Sequence, residues 1–236
     1  MGDEVSKRAA GRAAAELVED GMAVGLGTGS TVRFAMERLA ERVRDGLSVV
    51  GVPTSHQTAA RARALGIPLA SLNDAPRLAV AIDGADQVDP ALRLIKGRGA
   101  AQTREKAVAA AADRLVIVVD EPKLANPLSA PVPIEVLPFA CAFAAARLAA
   151  LGGSGTVREG VAKDGPVVTD NGGFVIDWSF GPIGDPEGLE HAIEAIPGVI
   201  AAGLFAGFAE KTVVIVGGDG GCRVVSPGSS RPRTEW

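Results

Sequence analysis

Through the first half of the chain, apolar residues fall into short unbroken runs separated by stretches of helical spacing. The runs are Met22 to Leu26, LSVVGV (47–52), IPLASL (67–72), RLAVAID (77–83) and RLVIVVD (114–120). Between them, an Ala-rich segment over 4–19, a segment from Ser30 to Arg44, SHQTAARARALG and TREKAVAAAA predict helices. Strands that do not alternate with polar residues, and that are interleaved with helices, predict a doubly wound (Rossmann-like) parallel α/β sheet buried on both faces. Ligands of such sheets bind beyond the carboxyl ends of the strands. Thr28-Gly29-Ser30, Asp83-Gly84-Ala85-Asp86 and Asp120-Glu121-Pro122-Lys123 all follow predicted strand ends.

The pattern changes at Pro127, where Pro127, Pro131, Pro133 and Pro138 fall close together before an Ala-rich helix over 139–151. Strand-like TVREG, VVTD and GGFVIDWSF follow, then the helix PEGLEHAIEAI and the apolar run PGVIAAGLFAGF. Helix, antiparallel strands, helix and strand predict a second, smaller α+β domain. The run Lys211 to Val216 is expected to return to the first sheet. The expected division is therefore 1–131 with 208–236 as one α/β domain, and 132–207 as an insertion. The tail PGSSRPRTEW lacks apolar periodicity and is expected to be disordered. No internal repeat is evident.

The chain has 236 residues, 47% of them hydrophobic, enough for a core without staples. Lys and Arg number 24 against 28 Asp and Glu, so there is no basic excess to meet a nucleic-acid backbone. Cys141 and Cys222 make no disulfide framework and read as structural thiols in a reducing compartment. The charged, helical N-terminus does not read as a signal peptide, and no apolar run approaches the roughly 20 residues that span a bilayer. A soluble cytoplasmic protein without nucleic-acid or membrane partners is expected. His56 and His191 lie far apart, which removes HExxH zinc sites and argues against a histidine triad. Any general base is then a carboxylate.

The segment DGADQVDPALRLIKGRGAAQTREK (83–106) holds the parts for moving a proton. A carboxylate can take a proton from a carbon beside a carbonyl, an ammonium can stabilise the resulting enolate-like oxygen, and Gly-flanked amides can hold an anion. Upstream, GLGTGST can cradle a phosphate at a helix start, or can be a tight turn with Ser30 or Thr31 as N-cap. It is not a dinucleotide fingerprint, since the third glycine position falls on Ser30, and it lacks the P-loop lysine. Asp83 and Asp86 are possible metal ligands, but no third ligand clusters with them and Lys96 competes for their charge. Glu105, between Arg104 and Lys106, reads equally as a base or as part of a surface charge cluster.

Together, GLGTGST, DGADQVD, KGRGAAQTREK, DEPKL and VPIEVLPFA resemble, in order and spacing, the motif set of the type A ribose-5-phosphate isomerases, from about Val5 to Phe205. The resemblance implies an aldose-ketose isomerase that interconverts ribose 5-phosphate and ribulose 5-phosphate through a cis-enediolate, in the non-oxidative pentose phosphate pathway, with no metal or organic cofactor. By motif position, Glu105 matches the base. Asp83 and Asp86 match aspartates that assist ring opening and proton movement between oxygens, and Lys96 matches the lysine near the enediolate. Lys7, Thr28, Gly29, Ser30, Thr31, Gly84, Ala85, Gly97, Arg98, Gly99 and Lys123 correspond to substrate-binding positions, with Lys7 a phosphate partner. The resemblance also implies a homodimer or homotetramer. Arg98 stands where the family usually has Gly, Gln87 where it has an acid, and Pro122 where Ser is frequent.

Overall fold

The computed structural model describes residues 2–218 and 220–228. In chain order it places α1 (Gly2–Glu16), β1 (Ala23–Leu26), α2 (Ser30–Arg44), β2 (Val50–Pro53), α3 (His56–Ala64) and β3 (Leu78–Asp83). Two short strands, β4 (Gln87–Val88) and β5 (Leu94–Ile95), precede α4 (Gln102–Ala111) and β6 (Ala112–Asp120). There follow β7 (Val132–Val136), α5 (Cys141–Leu151), β8 (Ser154–Val157), β9 (Phe174–Ser179), α6 (Pro186–Glu194), β10 (Val199–Ala202), β11 (Leu204–Phe205), β12 (Thr212–Gly218) and β13 (Gly221–Val225).

The aliphatic runs pair as the pattern requires. Among the described residues, one sheet has the order β13-β12-β6-β3-β1-β2, parallel throughout except for the β12–β13 hairpin. Successive side chains of a strand point to opposite faces, and both faces are covered. Val116 and Val118 of β6 and Ile215 of β12 pack with α1, α2 and Ala62 of α3. Leu115, Ile117 and Val119 of β6, with Val214 and Val216 of β12, pack with Val108 and Ala109 of α4 and with Phe205. From β1 the chain moves outward to β2, then crosses back to β3 on the other side of β1. The strand order therefore reverses at the β1–β3 pair, where doubly wound sheets open a crevice.

The second unit is an antiparallel sheet, β10-β7-β9-β8. Val132, Ile134 and Val136 of β7 and Ile176 and Trp178 of β9 face α5 and α6, which supply Ala144, Leu148 and Ile193. A strand thus runs through the Pro-rich segment. Proline lacks a ladder donor, and at Pro133 the chain uses this. Gly203 N donates to Pro133 O at 2.7 Å, while the Gly203 carbonyl, offered no N–H by Pro133, accepts from Lys96 N at 2.8 Å. The small sheet β11-β5-β4 joins the two units.

Several boundaries differ from expectation. IPLASL and VVTD are not strands; each contributes only an isolated bridge, Gly51 to Leu69 and Val168 to Phe174. β13 and the two-residue strands β4 and β5 carry too little local periodicity to be singled out, whereas β11 falls within the apolar run PGVIAAGLFAGF but pairs with β5, a partner distant in sequence. Residues 229–236 of the tail lie outside the described residues.

Candidate active site

The loops after β1, β3 and β6 meet at one end of the parallel sheet. The loop after β1 passes so close to β3 that a Cβ on Gly27 would lie 2.7 Å from the Asp83 Cα and 2.1 Å from its Oδ1. Only glycine fits there. Gly29, at φ 148° and ψ 173°, is the N-cap of α2 in a conformation nearly confined to glycine, and it makes no side-chain cap. Neither Ser30 nor Thr31 is the N-cap, so the helix starts with amide donors directed at the crevice and no capping side chain to occupy them.

Thr28 is committed to the protein. Its N–H donates to Asp83 Oδ1 at 3.2 Å, and its hydroxyl meets those of Thr54, Ser55 and Thr58 at 2.9, 2.8 and 3.1 Å. One hydroxyl has one hydrogen and two lone pairs, so three partners use it fully. Thr28 fastens Asp83 to the wall, and its methyl group faces Gly99, whose Cβ would lie 3.7 Å from it.

Asp83, Lys96 and Glu105 form a cluster in which Lys96 is 2%, Asp83 4% and Glu105 5% exposed. Lys96 Nζ lies 2.9 Å from Asp83 Oδ2, 3.1 Å from Glu105 Oε2 and 2.5 Å from the Gly84 carbonyl, with the Phe205 ring 5.4 Å away. Gly84 N–H donates to the other Asp83 oxygen at 2.8 Å. Glu105 Oε2 is ion-paired with Lys96 but receives no directed hydrogen bond. Burial pushes the Glu105 carboxyl up to about 8, and the nearby Asp83 charge adds to this against the pull of Lys96. Burial also raises the Asp83 carboxyl despite its ammonium and amide partners. For Lys96, burial opposes the charge, but two carboxylates outweigh it and hold the ammonium well above its usual range. A buried cation between two carboxylates, one raised into the range of neutral water, suits proton abstraction next to a carbonyl.

A cavity of about 550 Å³ opens over this cluster. Its lining includes Thr28, Gly29, Ser30 and Thr31 from the first loop, Gly84, Ala85 and Asp86 from the second, and Lys96, Gly97, Arg98, Gly99 and Glu105. Lys7 of α1 and Lys123, in the short 3₁₀ turn after β6, complete its rim. Every site residue expected from the sequence therefore borders this cavity except Asp83, which is held behind it by Thr28, Gly84 and Lys96. Arg98 turns its side chain outward, 79% exposed, with Nε 3.7 Å from Asp86 Oδ1. Asp86 Oδ2 accepts from Arg98 N at 2.9 Å.

The chain matches the family model described as ribose 5-phosphate isomerase A (phosphoriboisomerase A) over residues 50–221. The chain belongs to the ribose 5-phosphate isomerase A family. Among relatives, the ribose-5-phosphate isomerase A of Methanoregula boonei is 59% identical over 94% of this chain and 93% of its own. That of Natronomonas pharaonis is 52% identical over 94% of this chain and 97% of its own. A solved D-ribose-5-phosphate isomerase in complex with phospho-erythronic acid superposes with a TM-score of 0.92 at 44% identity, covering 96% of this chain and all (100%) of that one. The ribose 5-phosphate isomerase A of Methanocaldococcus jannaschii gives 0.88 at 40% identity, over 93% and 97% of the two chains.

Several residues around this cavity were not assigned a role from the sequence. Gln57 lines it, as does Asp120, which the sequence put at a strand end but among no candidate site residues. Asp120 ends an apolar strand, a position that marks a crevice residue, whereas Gln57 lies on a helix whose approach to the cavity has no local signal. The hydroxyls of Thr54, Ser55 and Thr58 look like helix capping, and Ser55 does cap α3 by accepting from Thr58 N. Their second task, holding Thr28, depends on β1 and β2 being neighbours. Among the described residues, no group of three or more His, Cys, Asp or Glu is arranged to hold a metal ion, and no helix is long and apolar enough to cross a membrane.

Proposed function

We propose that this protein interconverts D-ribose 5-phosphate and D-ribulose 5-phosphate by proton transfer through a cis-enediolate, with Glu105 as the base. The observation that carries this reading is the buried Asp83–Lys96–Glu105 cluster under the cavity, with Glu105 raised to about 8 and ion-paired through Oε2 with Lys96. The Glu105 carboxylate takes the proton from C2 of the open-chain aldose, and the electron pair moves to the carbonyl oxygen on C1. Lys96 stabilises the negative charge that develops on the enediolate oxygens. A proton moves between the oxygens on C1 and C2 with the help of Asp86, which borders the cavity, and of Asp83 behind it, and Glu105 delivers a proton to C1. Asp83 and Asp86 assist opening of the sugar ring.

The start of α2, with Ser30 and Thr31 in its first turn and Lys7 and Lys123 nearby, supplies amide, hydroxyl and ammonium donors to the substrate phosphate. Gly84, Ala85, Gly97, Arg98 and Gly99 border the sugar. That a relative holds phospho-erythronic acid, a phosphorylated sugar acid, supports a phosphate-bearing polyol as ligand. The ammonium of Lys96 occupies the place a divalent cation would need between the carboxylates, so the reading requires no metal and no organic cofactor. It also includes the division into an α/β domain of 1–131 with 208–236 and an inserted domain of 132–207. A cytoplasmic homodimer or homotetramer in the non-oxidative pentose phosphate pathway completes it.

Incubation with ribose 5-phosphate in D₂O tests the reaction. The expected product is ribulose 5-phosphate carrying deuterium at C1 to the extent that the Glu105 carboxyl exchanges its proton with solvent before delivering it, at a rate unchanged by prior dialysis against a strong chelator. No conversion would overturn the reading, and a rate lost to the chelator and restored by Mg²⁺ or Zn²⁺ would overturn its metal-free form.

A further inference from the structure

We propose that Arg158, in the antiparallel unit, is a positioning residue that fixes the peptide between Gly97 and Arg98 and, through it, the Asp86 carboxylate. The inference rests on the isomerase reading for its kinetic consequence but not for its geometry. Arg158 follows β8, and its backbone is held on both sides: its N–H donates to Val175 O and its carbonyl accepts from Val167 N, each at 2.8 Å. Its guanidinium grips Asp177 of β9 with two parallel bonds, Nε to Oδ2 at 2.7 Å and Nη2 to Oδ1 at 2.5 Å. The remaining nitrogen, Nη1, donates to the carbonyls of Gly97 at 3.1 Å and Arg98 at 3.0 Å.

The carbonyl of Gly97 and the N–H of Arg98 belong to one planar peptide and point in opposite directions. Arg158 holds the carbonyl end, and Asp86 Oδ2 accepts from the N–H end at 2.9 Å. That peptide is therefore gripped at both poles and cannot rotate without breaking a charge-assisted bond. The loop has little else to hold it: Gly97 and Ala100 sit at positive φ, 106° and 57°, and the turn between them closes with a single Ala100 N to Gly97 O bond of 2.9 Å. The line Asp177, Arg158, peptide 97–98, Asp86 thus carries orientation from the second unit into the cavity, immediately beside Lys96. It acts on main-chain atoms alone, which leaves the Arg98 side chain outside the grip and turned to solvent. A lysine at 158 cannot reproduce it, because a single ammonium does not present a fork to Asp177 and a third nitrogen to two carbonyls.

The test compares wild type with R158A, R158K and D177N in the full-length protein. In ligand-free protein, hydrogen exchange in the peptide covering 94–104 should accelerate about tenfold or more in R158A, less in D177N, with exchange over 212–218 unchanged. With ribose 5-phosphate, kcat/KM of R158A should fall about 10- to 150-fold, with partial recovery in millimolar guanidinium, while R158K recovers little. Loop exchange within about twofold of wild type, or acceleration that 212–218 shares equally, would overturn the proposal. So would faster loop exchange with unchanged kcat/KM. If R158A does not fold, R158K and D177N carry the same comparisons. Absence of isomerase activity in wild type would count against the reaction assignment alone, since loop exchange still judges Arg158.

Discussion

Two clusters of the same residue chemistry lie at opposite ends of the solvent scale. Between α1 and α2, Arg12 meets both Glu41 oxygens at 3.0 Å, and Arg38 meets Glu16 at 2.6 Å and Glu41 at 2.9 Å, with all four side chains partly open to solvent. Under the cavity, Lys96 sits between Asp83 and Glu105, all three of them buried. At the surface, Arg12 and then Arg38 lower the Glu41 carboxyl to about 2, because partners act with almost no burial to oppose them. In the interior, burial exceeds the partner's attraction and Glu105 rises to about 8. Ion pairing alone does not decide the direction of a carboxylate's shift. The balance with desolvation does, and two carboxylates sharing one cation tip it further.

The linkage signs are opposite as well. Glu105 rises from 4.5 to about 8 on folding, so its contribution to stability is complete below pH 4.5 and is lost as pH climbs towards 8. Glu41 falls from 4.5 to about 2, so its contribution is present above pH 4.5 and is lost as pH drops towards 2. The interior cluster thus weakens the fold in the range where its base becomes active, whereas the surface cluster only strengthens it there.

The largest effect should come from Glu105→Gln. It removes the base while keeping the volume, and kcat should fall about 10²- to 10⁴-fold with KM little changed. In wild type, kcat/KM should fall as pH drops below about 8, following protonation of Glu105. The same variant sharpens the comparison through stability: urea unfolding of wild type should lose up to about 1.4 kcal/mol per pH unit between pH 4.5 and 8, and the variant should lose much less. Equal slopes in the two proteins would show that Glu105 does not carry the linkage.

Next in size are Lys7→Ala and Lys123→Ala, which remove cations from the cavity rim. Each should reduce kcat/KM for ribose 5-phosphate by about 10- to 150-fold, the equivalent of one charge-assisted bond, and leave the slow reaction of free ribose nearly unaltered. Equal losses with both substrates would move these lysines from phosphate binding to structure.

Arg98→Gly should be nearly silent, changing kcat/KM by less than about threefold, because the side chain points into solvent and its ion pair with Asp86 is long. Steady-state kinetics on this variant separates the side chain of residue 98 from its backbone, on which Arg158 acts. The smallest effect is expected from Glu41→Gln. Activity should be unchanged and the thermal midpoint slightly lowered, by an amount that shrinks with added salt as exposed charges are screened. A kinetic defect there would break the contrast between the two clusters.

The chain order of residues was enough for the parallel sheet and most of its helices, and it put the candidate groups in one segment, while the role of Glu105 as base was implied only by the family resemblance. Aliphatic runs and helical spacing are local signals, and Asp83, Asp86, Lys96 and Glu105 lie within one short segment whose glycines and strand end mark a crevice. Tertiary structure decided what no local pattern encodes. It turned a proline-rich stretch into β7, where the missing N–H of Pro133 leaves the Gly203 carbonyl for Lys96. It also spent the Thr28 hydroxyl on three partners in the wall and brought Arg158 against the carbonyls of Gly97 and Arg98. Above all it set the ionisation of Glu105. A sequence names the groups that can exchange a proton, but how strongly they hold it depends on how much water the fold removes and which charges it leaves beside them.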